Sequence, residues 1–561
     1  MLLGYPFSAM QNETLKVIPL GGLGEIGMNA MVFETRDSMV LVDCGLQFPD
    51  ASYPGVEVLV PDLAYVLARL DKLRGVIVTH GHDDHIGAIP YLLREKDLDI
   101  YATPFPRGLI QQKLTEFSGT QEARFHVIEP RKKFSVGEFT FDPIPVQHSI
   151  IEALAFAIET PVGTVIHSGD FKHDPKETSR GEITFQAFQE YGDKGVELLL
   201  SDSTNAEREG HTLSEVDIEQ SFEAILGRQT GRLIIALFAS NIRRVERILS
   251  IAKRMGKKVA FMGRSMHSYT RLAFEQNSLE IPEDTIVLIE NLQRYPDEQV
   301  IVLATGSQAE PRSALVRVAE GIHKDLQIKK NDTVVMSSRF IPGNERAITR
   351  MIDNLYRAGA DVLYESVHQI HVSGHGFQEE LMMMLKAARP RYFIPIHGEF
   401  RHLSKHAKLA KKSGVKEENI LVVEDGQAVE VTKTGIRLAE KFEIHKLPAV
   451  ENLFVDGSAE ALNQKQALAK AGIVFVALFR DAVTGELMSD PVVGAQGLLL
   501  YHGESEEEVI LGAKKKLREV NLEFGDREDF QEVVKLETRR YFKKHASYKP
   551  VVIPVVINLN S

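Results

Sequence analysis

The chain is short of cysteine, of net positive charge and of long apolar runs. Cys44 is its only cysteine, so an intramolecular disulfide is excluded. Cys44 itself reads as a small buried residue and not as a ligand. A formal net charge of −12 argues against a generally basic nucleic-acid binder, while leaving room for a local basic channel. Apolar runs such as residues 233–239 have strand length and are too short to cross a bilayer. No basic segment followed by a long apolar one opens the sequence, so a secretory signal is not expected. A soluble, cytoplasmic protein without membrane attachment is the expectation. The stretch Gly21-Gly22-Leu23-Gly24-Glu25-Ile26-Gly27 is not followed by Gly-Lys-Ser/Thr, which excludes a Walker phosphate loop. A tight turn near the mouth of a site is expected there instead. Internal repeats and low-complexity segments are lacking as well.

What is present is a dense group of metal-ligand residue types. Thr79-His80-Gly81-His82-Asp83-Asp84-His85 directly follows the apolar run Gly75-Val76-Ile77-Val78. The pattern predicts a buried strand, a loop and then a helix over 89–94. Strand ends in α/β sheets are where ligand sites sit. Imidazole and carboxylate together suit zinc, manganese or iron. His80 and His82 can address one ion, and Asp84 and His85 a second beside it. A lone histidine in a polar loop would mean little; this density and spacing mean half of a two-metal hydrolytic site.

With 561 residues, 43% of them hydrophobic, the chain has room for several domains and a large core. Strands are predicted over 15–20, 31–34 and 39–45, with residues 1–15 as a lead-in and 61–74 at helical spacing. Asp43 closes the third strand, where it can orient a ligand histidine or simply form a turn. His148, Asp170 and Asp202 each close a later apolar run, in Gln147-His148-Ser149, Ser168-Gly169-Asp170 and Ser201-Asp202-Ser203-Thr204-Asn205. Further strand-like runs at 231–239, 258–261, 300–305 and 333–337 alternate with helical ones, an α/β pattern with a mainly parallel sheet. Near the end, strands are expected over 473–479 and 551–557. Helices are expected over 506–520 and 530–544, the first with a capping box from Ser505 to Glu508.

The order of His80, His82, Asp84, His85, His148 and Asp170 resembles the ligand series of the metallo-β-lactamase superfamily, and Asp43 resembles its first motif. Asp202-Ser203-Thr204-Asn205, Phe238-Ala239-Ser240-Asn241, Thr305-Gly306-Ser307-Gln308, Ile341-Pro342-Gly343-Asn344, His371-Val372-Ser373-Gly374-His375-Gly376 and Pro395-Ile396-His397-Gly398-Glu399 narrow the likeness to the β-CASP nucleases, and among them to the ribonuclease J family. Two stretches depart from the family pattern: Ser337-Ser338-Arg339-Phe340, and Val493-Gly494-Ala495-Gln496-Gly497-Leu498 where Arg-Gly-Phe is frequent.

The resemblance implies an α/β fold: a metallo-β-lactamase αββα sandwich over 1–210 and 376–440, an inserted β-CASP domain over 211–375, a linker over 441–460 and a small C-terminal α/β domain over 461–561. It implies two divalent ions, zinc first and manganese as the alternative. One would take His80, His82 and His148, the other Asp84, His85 and His397, with Asp170 between them, and the pair would deliver a hydroxide to the phosphodiester. His375 is the candidate acid, with a ligand or a phosphate clamp as its alternatives. Asp202 positions His375 or His397. The implied substrate contacts are Phe48, Ser240, Asn241, His371, Ser373, Gly374 and His375, with Phe48 stacking on a base beside a 5′-monophosphate pocket. Arg243, Arg244, Arg247, Lys253, Arg254, Lys257 and Lys258 follow Ser240-Asn241 and are expected to touch RNA backbone. Lysines 514–516 with Arg539, Arg540, Lys543 and Lys544 read as surface or interface. The implied activity is RNA maturation and decay, 5′-to-3′ and internal, by a homodimer or homotetramer joined through the C-terminal domain and able to enter an RNA-degradation assembly. A β-CASP nuclease acting on DNA and a non-catalytic RNA-processing scaffold are the competing readings.

Overall fold

Along the strand Leu154–Thr160, Leu154, Phe156 and Ile158 pack into one core while Ala155 and Ala157 pack into another. A strand buried on both faces lies between two layers. The computed structural model describes residues 13–50, 52–177, 181–340, 344–364, 372–455 and 457–560. The chain divides into two compact units, residues 1–48 with 59–447 and residues 49–58 with 448–561.

In the first unit two mixed sheets face each other. The eight-stranded sheet runs in the order Ile436–Lys441, Gln427–Thr432, Thr14–Gly21, Ala30–Glu34, Met39–Val42, Leu73–Ile77, Leu98–Ala102, Ala123–Val127. The six-stranded sheet runs Tyr392–Ile396, Leu198–Asp202, Gly163–His167, Leu154–Thr160, Phe139–Pro145, Phe134–Val136. Val17, Phe33, Val40 and Val42 from one meet Phe141, Phe156, Leu200 and Ile394 from the other. The outer face of the six-stranded sheet is covered by helices Gly181–Lys194, Gln378–Ala388 and Phe400–Lys412, through Phe188, Tyr191, Leu381, Leu385 and Leu409.

A third sheet, Lys258–Met262, Val300–Ala304, Leu233–Ala236, Thr333–Met336 and Asp361–Leu363, is parallel throughout. Parallel neighbours need crossovers, and helices such as Ile242–Arg254 and Glu345–Ala358 lie between its strands in the chain. This whole segment is inserted between Leu198–Asp202 and Tyr392–Ile396, which are parallel neighbours with Asp202 opposite Ile396. The chain therefore leaves the sandwich at the C-terminal end of one strand and, after helix Gln378–Ala388, enters the neighbouring strand at Tyr392, opposite Leu198.

The second unit is a sheet of Val492–Gln496, Ile473–Asp481 and Val551–Leu559. Val474, Val476 and Leu478 pack on Val509, Leu517, Val534 and Phe542 of helices Glu506–Phe524 and Phe530–His545. Ser505 caps the first of these, its Oγ accepting the Glu508 N–H at 3.3 Å.

Some expectations shift. Residues 61–74 hold only the short helix Ala64–Leu67 before the chain tightens into three-residue turns, with the Arg69 N–H on the Val66 carbonyl at 2.9 Å and the Lys72 N–H on the Arg69 carbonyl at 3.0 Å, and leads into Leu73–Ile77. Residues 441–460 are not plain linker: Ala449 and Val450 pair antiparallel with Phe454 and Leu453. Helix Ala459–Ala471 and strand Val492–Gln496 were not anticipated. The helix is alanine-rich and the strand carries a glycine, so neither shows a clear apolar period. Among the described residues no helix is long and apolar enough to cross a membrane. Residues 1–12, most of the expected lead-in, lie outside the described residues.

Candidate metal centre

The strand Leu73–Ile77 feeds the histidine motif at the edge of the inter-sheet space. The helix after it begins at Asp83, inside the motif and earlier than expected, with the short helix Ile89–Leu92 following. Asp83 and Asp84 occupy its first turn, where the helix dipole favours acids. Asp83 pairs with Lys113 at 2.6 Å. The turn separates His80 and His82 on the loop from Asp84 and His85 on the helix, and so makes two groups.

In the first group His80 Nε2 lies 3.0 Å from His82 Nδ1, and His148 Nε2 lies 3.2 Å from the same atom. In the second, His85 Nε2 lies 3.2 Å from Asp170 Oδ2 and 3.6 Å from Asp84 Oδ2, and His397 Nε2 is 3.6 Å from Asp84 Oδ2. Asp170 Oδ2 also approaches His80 Nε2 at 3.6 Å and His148 Nε2 at 3.8 Å. One carboxylate oxygen thus faces both groups. Four ligands at zinc–nitrogen distances in a tetrahedron stand about 3.3 Å from one another, and the first group has that spacing. His397 Nε2 is buried without a hydrogen-bond partner among the described residues. A cation would satisfy it. The donor set fits a divalent metal.

The remaining nitrogens of these imidazoles are held from behind. His85 Nδ1 donates to Asp43 Oδ2 at 2.7 Å, and Asp43 also accepts from the Thr79 N–H at 2.8 Å and the Thr79 hydroxyl at 2.7 Å. His148 Nδ1 donates to the Gly374 carbonyl at 2.6 Å. His82 Nε2 lies 3.2 Å from Ser240 Oγ. Such contacts select the ring tautomer and leave the other nitrogen for the ion. Burial, reinforced by neighbouring imidazoles, lowers the pKa values of His80, His82 and His148 and keeps them neutral. Burial opposes charge on Asp170, but His397 and His85 outweigh it and hold its carboxyl well below the ordinary range. Burial likewise opposes charge on His85, and Asp170, Asp84 and Asp43 outweigh it and raise its pKa. Asp43 and His397 both have left-handed backbones, with φ of 60° and 51°. Such conformations cost free energy, and they cluster at functional sites.

His375 stands beside these groups. Its Nδ1 is 2.8 Å from Asp202 Oδ2 and 4.0 Å from Asp170 Oδ2. Burial opposes its protonation, yet Asp202 and then Asp170 and Asp84 overcome this and raise its pKa to about 9.

Family models match along most of the chain. They are the beta-lactamase superfamily domain at residues 38–235, the ribonuclease J beta-CASP domain at 230–355, the Zn-dependent metallo-hydrolase RNA specificity domain at 359–422 and the ribonuclease J C-terminal domain at 460–559. A ribonuclease J of Helicobacter pylori is 37% identical over 99% of this chain and 80% of that protein. The ribonuclease J of Thermus thermophilus is 38% identical over 97% of this chain and 95% of that protein. The chain belongs to the ribonuclease J family. A solved structure from Enterococcus faecalis, of a protein of unknown function, shares the fold alone, with a TM-score of 0.53, 15% identity and coverage of 75% of this chain and 100% of that one.

As in the family's metallo-β-lactamase architecture, the sandwich carries the clustered histidines and aspartates and the parallel sheet is the inserted β-CASP part. The residues expected to touch RNA fare unevenly. Phe48 is 68% exposed, available to stack. Ser240 reaches His82. Asn241 is buried, and its Oδ1 caps helix Ile242–Arg254 by accepting the Arg244 N–H at 3.1 Å. The Gly374 carbonyl faces His148 instead of solvent. A Cβ there would come within 2.7 Å of that ring, so only glycine fits. Ser373 Oγ accepts from Asn205 Nδ2 at 2.7 Å and from the His375 N–H at 3.2 Å. His371 lies outside the described residues.

The basic helix after Asn241 is a correction. Arg244 is buried and pairs with Glu215 at 2.8 Å, Arg243 pairs with Glu177 at 2.7 Å, Arg247 with Glu219 at 2.8 Å, and Arg254 with Glu219 and Glu223. Lys257 Nζ donates to the Glu298 carbonyl at 2.6 Å, and Lys258 to that of Asp284. Acidic residues on helix Glu215–Gly227, and Glu177 outside the insertion, pair with the cluster's four arginines, which brace the helix within the β-CASP part and against the sandwich.

Two asparagines that touch the candidate site were missed. Asn29 Nδ2 lies 3.0 Å from His85 Nε2 and donates to the Asp84 carbonyl at 3.3 Å. Its one signal is its place just after the Gly-rich turn. Asn205, within a motif that singled out Asp202, donates to the His375 carbonyl at 2.9 Å as well as to Ser373, and accepts from Arg339 Nη1 at 3.3 Å.

Proposed function

We propose that this chain is a metal-dependent ribonuclease that digests RNA 5′ to 3′ from a 5′-monophosphate end and also cuts internally, leaving 5′-phosphate products. The observation that carries the reading is the approach of Asp170 Oδ2 to both ligand groups, at 3.2 Å from His85 and 3.6 Å from His80. His80 Nε2, His82 Nδ1 and His148 Nε2 would hold one ion, Asp84, His85 and His397 a second, and Asp170 both. The borderline nitrogen and oxygen donor set suits zinc, with manganese as the alternative. Bound divalent ions would lower the pKa of water and neutralise charge on the phosphodiester.

The protein's own groups complete the reaction. Asp202 on Nδ1 keeps the His375 imidazole protonated and leaves Nε2–H to protonate the departing 3′-oxygen. Asp43 holds His85, Gly374 holds His148 and Ser240 holds His82, so the ligand nitrogens need not reorganise when substrate arrives. Phe48 stacks on a terminal base, a sequence-tolerant contact worth about 1–3 kcal/mol. Ser240 and Ser373 line the path of the strand. In the proposed division, residues 1–210 and 376–440 supply the metal centre, 211–375 the RNA cover and 461–561 the C-terminal domain. On the sheet of that domain, Phe475, Val492, Ile553 and Ile557 are exposed on the side away from its helices. This apolar face supports the reading that the protein dimerises or tetramerises through the C-terminal domain. The reading also makes it a cytoplasmic enzyme able to join other RNA-degrading proteins.

Matched RNAs with 5′-monophosphate, 5′-hydroxyl and 5′-triphosphate ends test it, with a DNA of the same sequence and with zinc, manganese or chelator. Mononucleotides released fastest from the monophosphate RNA, only with metal and not by Asp84→Ala, are the expected result. Cleavage of DNA at an equal rate, or cleavage in chelator, would overturn it.

A further inference from the structure

Glu380 has no solvent exposure and lies apart from the metal ligands. Its Oε1 accepts from the His173 N–H at 2.9 Å and the Thr212 hydroxyl at 2.5 Å. Its Oε2 accepts from the Thr212 N–H at 2.9 Å and the Phe377 N–H at 2.7 Å. Only the Phe377 bond is local, the reach of an N3 glutamate back to the start of its own helix. The other bonds come from two remote segments. His173 lies three residues past Asp170. Thr212 stands where the chain heads into the inserted sheet, and Phe377 where it comes back, two residues after His375. The Gly376 N–H donates to the Phe171 carbonyl at 2.7 Å and ties two of the same segments again. Backbone N–H groups cannot turn away, and a buried carboxylate with all its acceptor sites used is held in one place.

We propose that Glu380 is a positioning residue for the hydrolytic reaction. It keeps the loop carrying His375 in register with the loop carrying Asp170, and ties that register to the first residues of the inserted domain. The proposal rests on the reading of His375 as the proton donor. A cap alone would use one bond of the four; the bonds to His173 and Thr212 serve the junction.

Glu380→Gln keeps the side-chain shape but turns an amide N–H toward backbone donors. The expected result is a fall in kcat of about 10–100-fold, the scale of a misplaced catalytic group. KM for 5′-monophosphate RNA and the metal bound per chain should stay unchanged. Thr212→Val removes one hydroxyl donor and leaves the fold least disturbed, so it carries the test if Glu380→Gln does not fold; a smaller fall in kcat is expected. The deciding measurement places each change in a His375→Ala background. A residue acting through His375 has no further effect there. An equal proportional loss in both backgrounds, or an unchanged kcat in both Glu380→Gln and Thr212→Val, would overturn the proposal while leaving the reading of His375 intact. A fully active His375→Ala would overturn that reading first, and the proposal with it.

Discussion

His375 Nδ1 and Asp202 Oδ2 are 2.8 Å apart although 173 residues separate them in the chain. The insertion makes this possible, because Asp202 ends the strand from which the chain departs and His375 precedes the strand by which it returns. Asp202→Asn should lower kcat by about 10²–10⁴-fold, the usual worth of a positioned acid. Single-turnover cleavage of a 5′-monophosphate RNA, with metal content measured on the same sample, checks this; a loss explained entirely by missing metal would contradict it.

Asp43→Asn should act through the metal and not through the proton. Its carboxylate aligns His85 from behind, and removing such a partner weakens binding by about 10–100-fold. Competition against a chelator of known zinc affinity measures the shift. High zinc should restore cleavage to near the parent rate.

Arg244→Ala should destabilise the protein by about 3–5 kcal/mol, because it strands the buried Glu215 carboxylate. Urea unfolding reads the change. Burial opposes charge on Glu215, but Arg244 and Lys172 overcome it and hold its pKa at about 2, against an ordinary 4.5. A depressed carboxylate adds stability that is full above its unfolded pKa and is lost as pH falls toward its folded one. The parent should therefore lose this contribution between pH 4.5 and 2, and Arg244→Ala should show a shallower acid slope there.

Asp425 predicts the opposite slope. Burial, and then the Glu25 carboxylate beside it, push its pKa up to about 8. Its Oδ1 accepts the Leu23 N–H at 3.0 Å, a bond that an asparagine oxygen can keep. The folded protein holds a proton here that the unfolded chain releases near pH 4, so stability falls as pH rises from about 4 to about 8. Asp425→Asn should melt increasingly above the parent across that range. Melting curves at mildly acidic and mildly alkaline pH decide it, and a constant difference would contradict the assignment.

Much of the centre was legible because its ligands sit where strands stop. His80, His148, Asp170 and Asp202 each follow a run of apolar residues, and the strand pattern alone points to them. Other features were hidden for physical reasons. Asn29 follows a turn with no apolar pattern of its own, so nothing in the one-dimensional signal marks it. Asn241 looked like a substrate contact, yet asparagine before a helix is also a cap, and the basic run behind it looked free for RNA backbone because the acids that pair with it lie tens of residues away. The left-handed backbone at Asp43 and His397 cannot be read from residues that usually adopt other conformations.

The placing of Asp202 opposite Ile396 has a consequence for biosynthesis. His397 and His375 are both made after the insertion, late in translation. On the proposed assignment, a nascent chain that has already emerged with His80, His82, Asp84, His85, His148 and Asp170 still lacks one metal-holding residue and the proton donor. On that assignment the centre is completed only once the ribosome has passed residue 397, so for the larger part of its synthesis the growing polypeptide carries an incomplete centre.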